Sequence, residues 1–153
     1  MTDPGARKRA LILCTGNSCR SQMAEGFVNH MLGGEWEAQS AGTSPAARVN
    51  PLAVRVMAEL GVDISAQRPR HVDAMVGQRW DLVVTVCDSA RETCPFFPHQ
   101  GEQIHVGFPD PAEATGSEVE QLVVFRQVRD AIRERLVPMV QACRGGGPKG
   151  PSQ

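Results

Sequence analysis

Tyrosine is absent from this 153-residue chain and tryptophan occurs only twice, so aromatic residues make up 5% of it. Proteins that hold single-stranded nucleic acid stack its bases on aromatic rings, and this supply is too thin for such a surface. Neither sign of charge is in excess: 16 Lys plus Arg against 17 Asp plus Glu leave −1. That balance argues against the basic field that draws proteins to nucleic acid or membrane surfaces. The apolar runs are a handful of residues long, far short of the roughly 20 needed to span a bilayer. Arg7-Lys8-Arg9 precedes only Ala10-Leu11-Ile12-Leu13, too short an apolar region for a secretory signal. A cytoplasmic chain with no nucleic-acid or membrane partner is expected.

What is present is ordinary in bulk. Hydrophobic residues make up 41% and charged residues 22%, close to globular averages, and the length suits one domain. That domain is expected over residues 8–143. Loose tails are expected at 1–7 and at 144–153, the latter rich in Gly and Pro and unable to hold a regular element. Five cysteines (14, 19, 87, 94 and 143) are an odd count. In a chain without an export signal they read as reduced thiols available for chemistry, not as a disulfide framework.

The apolar pattern predicts alternating strands and helices. Ala10–Leu13 reads as a buried strand, and Met23, Phe27 and Met31 then recur every four residues in a helix from Ser21 to Gly33-Gly34. Trp36–Ala41 suggests a second strand. Asn50-Pro51 is an N-cap with proline in the first helical position, followed by Ala53, Val56, Met57 and Leu60 at helical spacing, and Gly61 stops the helix. A short helix is expected near Val72. Leu82–Val86 is the most β-branched run and reads as a central strand, and Gln103–Phe108 as another. Ser117-x-x-Glu120 is a capping box, with Phe125, Val128, Ile132 and Leu136 marking the core face of a long last helix. Such alternation predicts a parallel sheet whose ligand site lies in the loops at the strand C-ends. Those places hold Cys14, Cys87 and Asp110.

Between the first strand and helix runs Cys14-Thr15-Gly16-Asn17-Ser18-Cys19-Arg20-Ser21. A small glycine-containing loop entering a helix N-terminus offers backbone N–H groups and a positive dipole end to an oxyanion. Arg20 adds a planar two-toothed fork suited to phosphate or arsenate. The same field favours an anionic sulfur, which makes Cys14 the expected nucleophile. Ser21 and Ser18 are expected to hydrogen-bond that sulfur, and Asn17 to tie the loop. No Gly-Lys-Ser/Thr follows, so the ATP-type phosphate loop does not fit. Asp110, between Pro109 and Pro111 in a stiff loop, is a candidate proton donor to a departing oxygen, or simply part of a Pro-rich turn.

The segment from Cys14 to Gly26 resembles the signature loop of the low-molecular-weight tyrosine phosphatase superfamily, in the variant of bacterial arsenate reductases. The resemblance extends through Ser40-Ala41-Gly42-Thr43, Val84-Thr85-Val86-Cys87-Asp88 and Gly107-Phe108-Pro109-Asp110-Pro111. It implies an α/β three-layer sandwich around a four-stranded parallel sheet of flavodoxin-like winding, with the first strand central. It implies Cys14 as nucleophile, Arg20 and loop residues 15–21 as anion ligands, and Asp110 as general acid. Cys87-Asp88-Ser89-Ala90-Arg91-Glu92-Thr93-Cys94-Pro95 resembles the redox segment of thioredoxin-coupled arsenate reductases. The resemblance thus implies arsenate reduction through Cys14, Cys87 and Cys94, ending in a Cys87–Cys94 disulfide reduced by thioredoxin. It requires no organic cofactor or metal, and phosphate acts as the substrate analogue. A monomer is expected.

The cysteine spacing has a mechanical consequence. If residues 87–94 were helical, seven rises of ~1.5 Å would separate their Cα atoms by about 10 Å, whereas a disulfide tolerates about 4.4–6.8 Å. Residues 88–98 are therefore expected to change shape between redox states. Two other readings stay open: a phosphatase using Cys14, Arg20 and Asp110 alone, and a non-catalytic anion or metal sensor. Cys19 is expected to pack, and Cys143 has no assigned role. Glu25 is a candidate ligand for a monovalent cation near Asn17 and Asp63, and Arg126, Arg129, Arg133 and Arg135 read as a solvated face.

Overall fold

The computed structural model describes residues 7–87 and 100–143. Its four strands are β1 (Lys8–Cys14), β2 (Trp36–Gly42), β3 (Trp80–Thr85) and β4 (Gln100–His105). They form a parallel sheet in the order β2-β1-β3-β4. β1 is central, as expected. In such a sheet the chain winds outward in opposite senses from β1 and β3, and ligands bind at the C-terminal ends of the strands beside that reversal. Every residue of β3 is buried, which matches its β-branched run, since a strand covered on both faces has no polar side to present.

The α-helices are α1 (Arg20–Leu32), α2 (Pro51–Ala58) and α3 (Glu118–Ala142); α1 and α2 both pack against α3. Local chemistry sets their ends. Asn50 caps α2 by accepting from Leu52 N at 2.8 Å, with Pro51 behind it. Gly61, at φ 78°, closes that helix in the left-handed region, and Val62 N bonds back to Met57 O. Ser117 and Glu120 form the reciprocal capping box of α3. Phe125, Val128, Ile132 and Leu136 are all buried.

Three expectations shift. Met31 is 50% exposed, although Met23 and Phe27 are buried. Steps of four residues advance about 400°, so the stripe drifts off the core face within two turns, and Ala24 and Val28 take the inner positions. β4 begins at Gln100 and ends at His105, three residues earlier at each end than Gln103–Phe108 suggested. Val106 N and Phe108 N still bond to Thr85 O and Val86 O, but the Phe108 carbonyl is taken by Arg20 and Pro109 has no N–H to continue a ladder. Arg129, grouped with a solvated face, is instead buried. It donates to Val56 O at 2.9 Å and Glu59 Oε1 at 2.8 Å, which clamps α3 to α2.

Candidate active site

The strand ends bring the predicted residues together. Cys14 terminates β1 and is 2% exposed. In the register of the sheet Leu13 lies opposite Thr85. Two residues further along both chains Thr15 and Cys87 come level, and Thr15 Oγ1 lies 3.3 Å from Cys87 Sγ. The second sulfur therefore sits one strand away from the first, on the same rim. Cys94 lies outside the described residues, as does the segment 88–98 whose reshaping the spacing predicts.

The loop after Cys14 has its carbonyls turned outward. Ser44 N, Ala46 N and Asn50 N bond to Thr15 O, Gly16 O and Ser18 O at 2.8–2.9 Å. Gln22 Nε2 takes Asn17 O at 3.0 Å. Four consecutive carbonyls are thus occupied from behind. Gly42 permits this approach, because a Cβ there would collide with the Thr15 carbonyl. α1 begins at Arg20 with no side-chain cap on its first turn, so its leading N–H groups stay available to an anion.

The Cys14 sulfur receives two donated hydrogen bonds, from Asn17 N at 3.3 Å and Ser21 Oγ at 3.2 Å. The direction of the second is fixed by its neighbours. Arg70 N donates to Asn17 Oδ1 at 2.8 Å, so Asn17 Nδ2 faces Ser21 Oγ, at 2.7 Å. With that lone pair used, the Ser21 hydroxyl proton goes to sulfur. Two donated hydrogen bonds thus hold this sulfur at the mouth of the loop. Asn17 holds φ 51°, a left-handed conformation that asparagine tolerates better than most residues. Ser18 departs from expectation: its hydroxyl lies 3.6 Å from Cys19 Sγ and makes no bond to Cys14.

Arg20 joins the anion loop to the acid loop. Its Nη1 donates to Phe108 O at 3.1 Å, and Nη2 lies 3.6 Å from Asp110 Oδ2. Its Nε is buried with no hydrogen-bond partner among the described residues, a donor suited to an incoming oxyanion. Asp110 Oδ1 accepts from Ala112 N at 3.0 Å and caps a 3₁₀ turn at Pro111–Glu113, which leaves Oδ2 toward the cleft. Arg135 braces this loop from α3, with Nη1 on Gly107 O at 3.3 Å and its guanidinium 5.0 Å from the Phe108 ring centre. The cleft has a volume of 760 Å³; Thr15, Arg20, Cys87, Phe108 and Asp110 line it.

Residues 9–145 match the family described as low molecular weight phosphotyrosine protein phosphatase. The chain belongs to that family. An arsenate reductase of Halalkalibacterium halodurans is 50% identical over 130 residues, 85% of this chain and 93% of that protein. Among solved structures, an arsenate reductase in the phosphate binding state aligns with a TM-score of 0.73 at 30% identity, covering 89% of this chain and 98% of the other. A thioredoxin-dependent arsenate reductase of Corynebacterium glutamicum aligns with a TM-score of 0.60 at 26% identity, covering 88% of this chain and 62% of that one.

Within this member of the low-molecular-weight phosphatase family, the remaining loop residues have structural contacts. Cys19 is buried, and burial pushes its thiol up to about 11, so it stays protonated beside the Cys14 sulfur. Glu25 is engaged by protein: Ser40 Oγ donates at 2.6 Å and Arg70 Nη1 at 3.3 Å. Burial raises its carboxyl above the usual range against the pull of both partners. Asp63, considered with Glu25 and Asn17 for a cation, uses its Oδ1 to accept from Ser65 N at 2.8 Å within its own loop. Sequence reasoning missed the outward bonding from residues 44–50 and the Arg70 and Arg135 contacts. Ser40-Ala41-Gly42-Thr43 was the one signal pointing toward the first of these. No helix among the described residues is long and apolar enough to cross a membrane.

Proposed function

We propose that this protein is a cytoplasmic arsenate reductase that works through a cascade of thiols. The observation that carries the reading is the pairing of an outward-bonded anion loop around Cys14 with a second sulfur, Cys87, level with Thr15 on the adjacent strand. Arsenate enters the loop 14–21 and is held by backbone N–H groups and the Arg20 fork. The Cys14 thiolate attacks arsenic, and Asp110 gives a proton to the departing oxygen, which leaves as water. Cys87 then attacks the Cys14 sulfur of the adduct. A sulfur–sulfur bond forms, the sulfur–arsenic bond breaks, and its electron pair stays on arsenic, so arsenate becomes arsenite. Cys94 attacks Cys87, frees Cys14 and leaves a Cys87–Cys94 disulfide, which thioredoxin reduces. The 50% identity to an arsenate reductase and the alignment with a thioredoxin-dependent one support this assignment.

Ester hydrolysis needs only Cys14, Arg20 and Asp110, so residual activity on small aryl phosphates accompanies the main reaction. The two activities separate at one residue. With arsenate, thioredoxin and its reductase, Cys87→Ser is expected to lose multiple turnover while it keeps aryl-phosphate hydrolysis. Arsenate turnover equal to wild type would remove Cys87 from the mechanism.

A further inference from the structure

Residue 70 lies outside any strand or helix, yet it contacts three parts of the structure around the anion loop. Its main-chain N–H donates to Asn17 Oδ1 at 2.8 Å. Its carbonyl accepts from Gly42 N at 2.8 Å. Its guanidinium reaches Glu25 Oε1 on α1 and Ser40 O on β2, each at 3.3 Å. Glu25 and Ser40 are themselves buried and joined at 2.6 Å. The side chain of Arg70 is therefore anchored in a polar niche behind the loop, and its backbone is what holds Asn17.

Asn17 is the residue whose geometry most needs holding. It sits at positive φ, its N–H donates to the Cys14 sulfur, and its Nδ2 orients the Ser21 hydroxyl toward the same sulfur. If the Asn17 amide turned over, Nδ2 would meet the Arg70 N–H, donor against donor, and Ser21 would no longer be fixed as a donor to sulfur. Both hydrogen bonds on Cys14 thus trace back through Asn17 to residue 70.

We infer that Arg70 is a positioning residue for the anion loop: its guanidinium, anchored between Glu25 and the Ser40 carbonyl, fixes the main-chain amide that orients Asn17 and, through Asn17, both donors to the Cys14 sulfur. This rests on the reading of Cys14 as the arsenate nucleophile. Arg70 acts at one remove and touches neither the sulfur nor the cleft lining. A methionine keeps much of the length and loses both anchors, whereas a lysine keeps one charged donor.

The test compares Arg70→Met, Arg70→Lys and Glu25→Gln with wild type, all in the full chain and well below the melting transition. Binding of inorganic phosphate is read by calorimetry, and KM and kcat for arsenate by thioredoxin-coupled turnover. Arg70→Met is expected to weaken phosphate binding about tenfold and to lower kcat/KM for arsenate by about 10- to 100-fold, the scale of a small misplacement near reacting atoms. Arg70→Lys is expected to recover most of both losses. Glu25→Gln shifts both quantities in the same direction by less, and it serves as the test should Arg70→Met fail to fold. Phosphate affinity and kcat/KM at wild-type values in the folded Arg70→Met and Glu25→Gln variants would overturn the inference, even with a lowered melting temperature. A separate control isolates the underlying reading: if Cys14→Ser keeps arsenate turnover, the assignment of the site itself falls, whatever Arg70 does.

Discussion

Ser21→Ala removes one hydroxyl from a completely buried position and tests the polarity of the network around the nucleophile. In the wild type the Ser21 hydroxyl donates to the Cys14 sulfur and its oxygen accepts from Asn17 Nδ2. A hydrogen bond to a charged group contributes roughly 1.5–3 kcal/mol. At about 1.4 kcal/mol per factor of ten, and with roughly half of it offset by the greater nucleophilicity of a less stabilised sulfur, losing it slows alkylation of Cys14 by about 3- to 10-fold. The same change leaves the buried Asn17 Nδ2 without its acceptor, at a cost of about 1–3 kcal/mol. For a chain of this size that lowers the melting temperature by roughly 2–4 °C per kcal/mol. The assay is alkylation of Cys14 by iodoacetamide near neutral pH, followed by mass spectrometry, with phosphate protection identifying the site. Both effects must appear together. A folded Ser21→Ala protein alkylated at the wild-type rate would mean the hydroxyl does not serve the sulfur, and a lowered rate without thermal loss would mean Asn17 has turned to another acceptor.

Other residues carry further expectations. Cys19→Ala should leave arsenate turnover within about twofold, because burial pushes that thiol up to about 11 and keeps it protonated; a turnover loss above tenfold would place Cys19 in the reaction. Arg135→Met should lower kcat about two- to fivefold by loosening the Asp110 loop, the scale of an exposed cation–π contact of ~0.5–1 kcal/mol, with no change in phosphate affinity measured by calorimetry. Glu59 is held down to about 2 by hydrogen bonds from Arg126 and then Arg129. A lowered carboxyl stabilises the fold above its unfolded value near 4.5 and loses that contribution as pH falls toward 2. Melting curves from pH 5 to pH 2 should therefore fall less steeply in Glu59→Gln than in wild type, and parallel curves would refute the coupling. Because Glu59 is substantially exposed, solvent screening keeps the difference small.

Much of the framework was legible because its signals are local. The Asn50-Pro51 cap, the Gly61 stop and the Ser117/Glu120 box each act within four residues, and the β-branched run at 82–86 states its own burial. The strand-end positions of Cys14 and Cys87 followed from alternation alone. The support of the site was not legible, because it is made of long-range main-chain bonds that carry no residue preference. The amides of Ser44, Ala46 and Asn50 would satisfy the loop carbonyls whatever their side chains, and Arg70 lies in a stretch with no period to mark it. Arg129 misled for a different reason. Its neighbours on α3 are charged, and only the closeness of α2 shows that one guanidinium turns inward to reach Val56 O and Glu59. By its own neighbours Asp110 reads equally as acid or turn residue, and only the family resemblance favours the acid; in the fold it caps a 3₁₀ turn with Oδ1 while Arg20 reaches both its carboxylate and the carbonyl two residues before it.

The proposed mechanism also locates the step at which reductase chemistry separates from phosphatase chemistry. A ring of amides and a guanidinium does not distinguish arsenic from phosphorus, since both present tetrahedral oxyanions of like charge, so the loop confers binding and nucleophilic attack on either. What arsenic accepts and phosphorus in a phosphate ester does not is an electron pair from a sulfur–arsenic bond, and a second sulfur must be in reach to leave that pair behind. Parallel strands lie about 4.8 Å apart, and the Leu13–Thr85 register carries Thr15 and Cys87 level with one another. The position after β3 is therefore a place on a neighbouring strand from which a side chain reaches the loop, as the 3.3 Å between Cys87 Sγ and Thr15 Oγ1 shows. On the proposed mechanism a serine there leaves a hydrolase, whereas a cysteine there, 3.3 Å from Thr15 Oγ1, makes reduction available to the same loop.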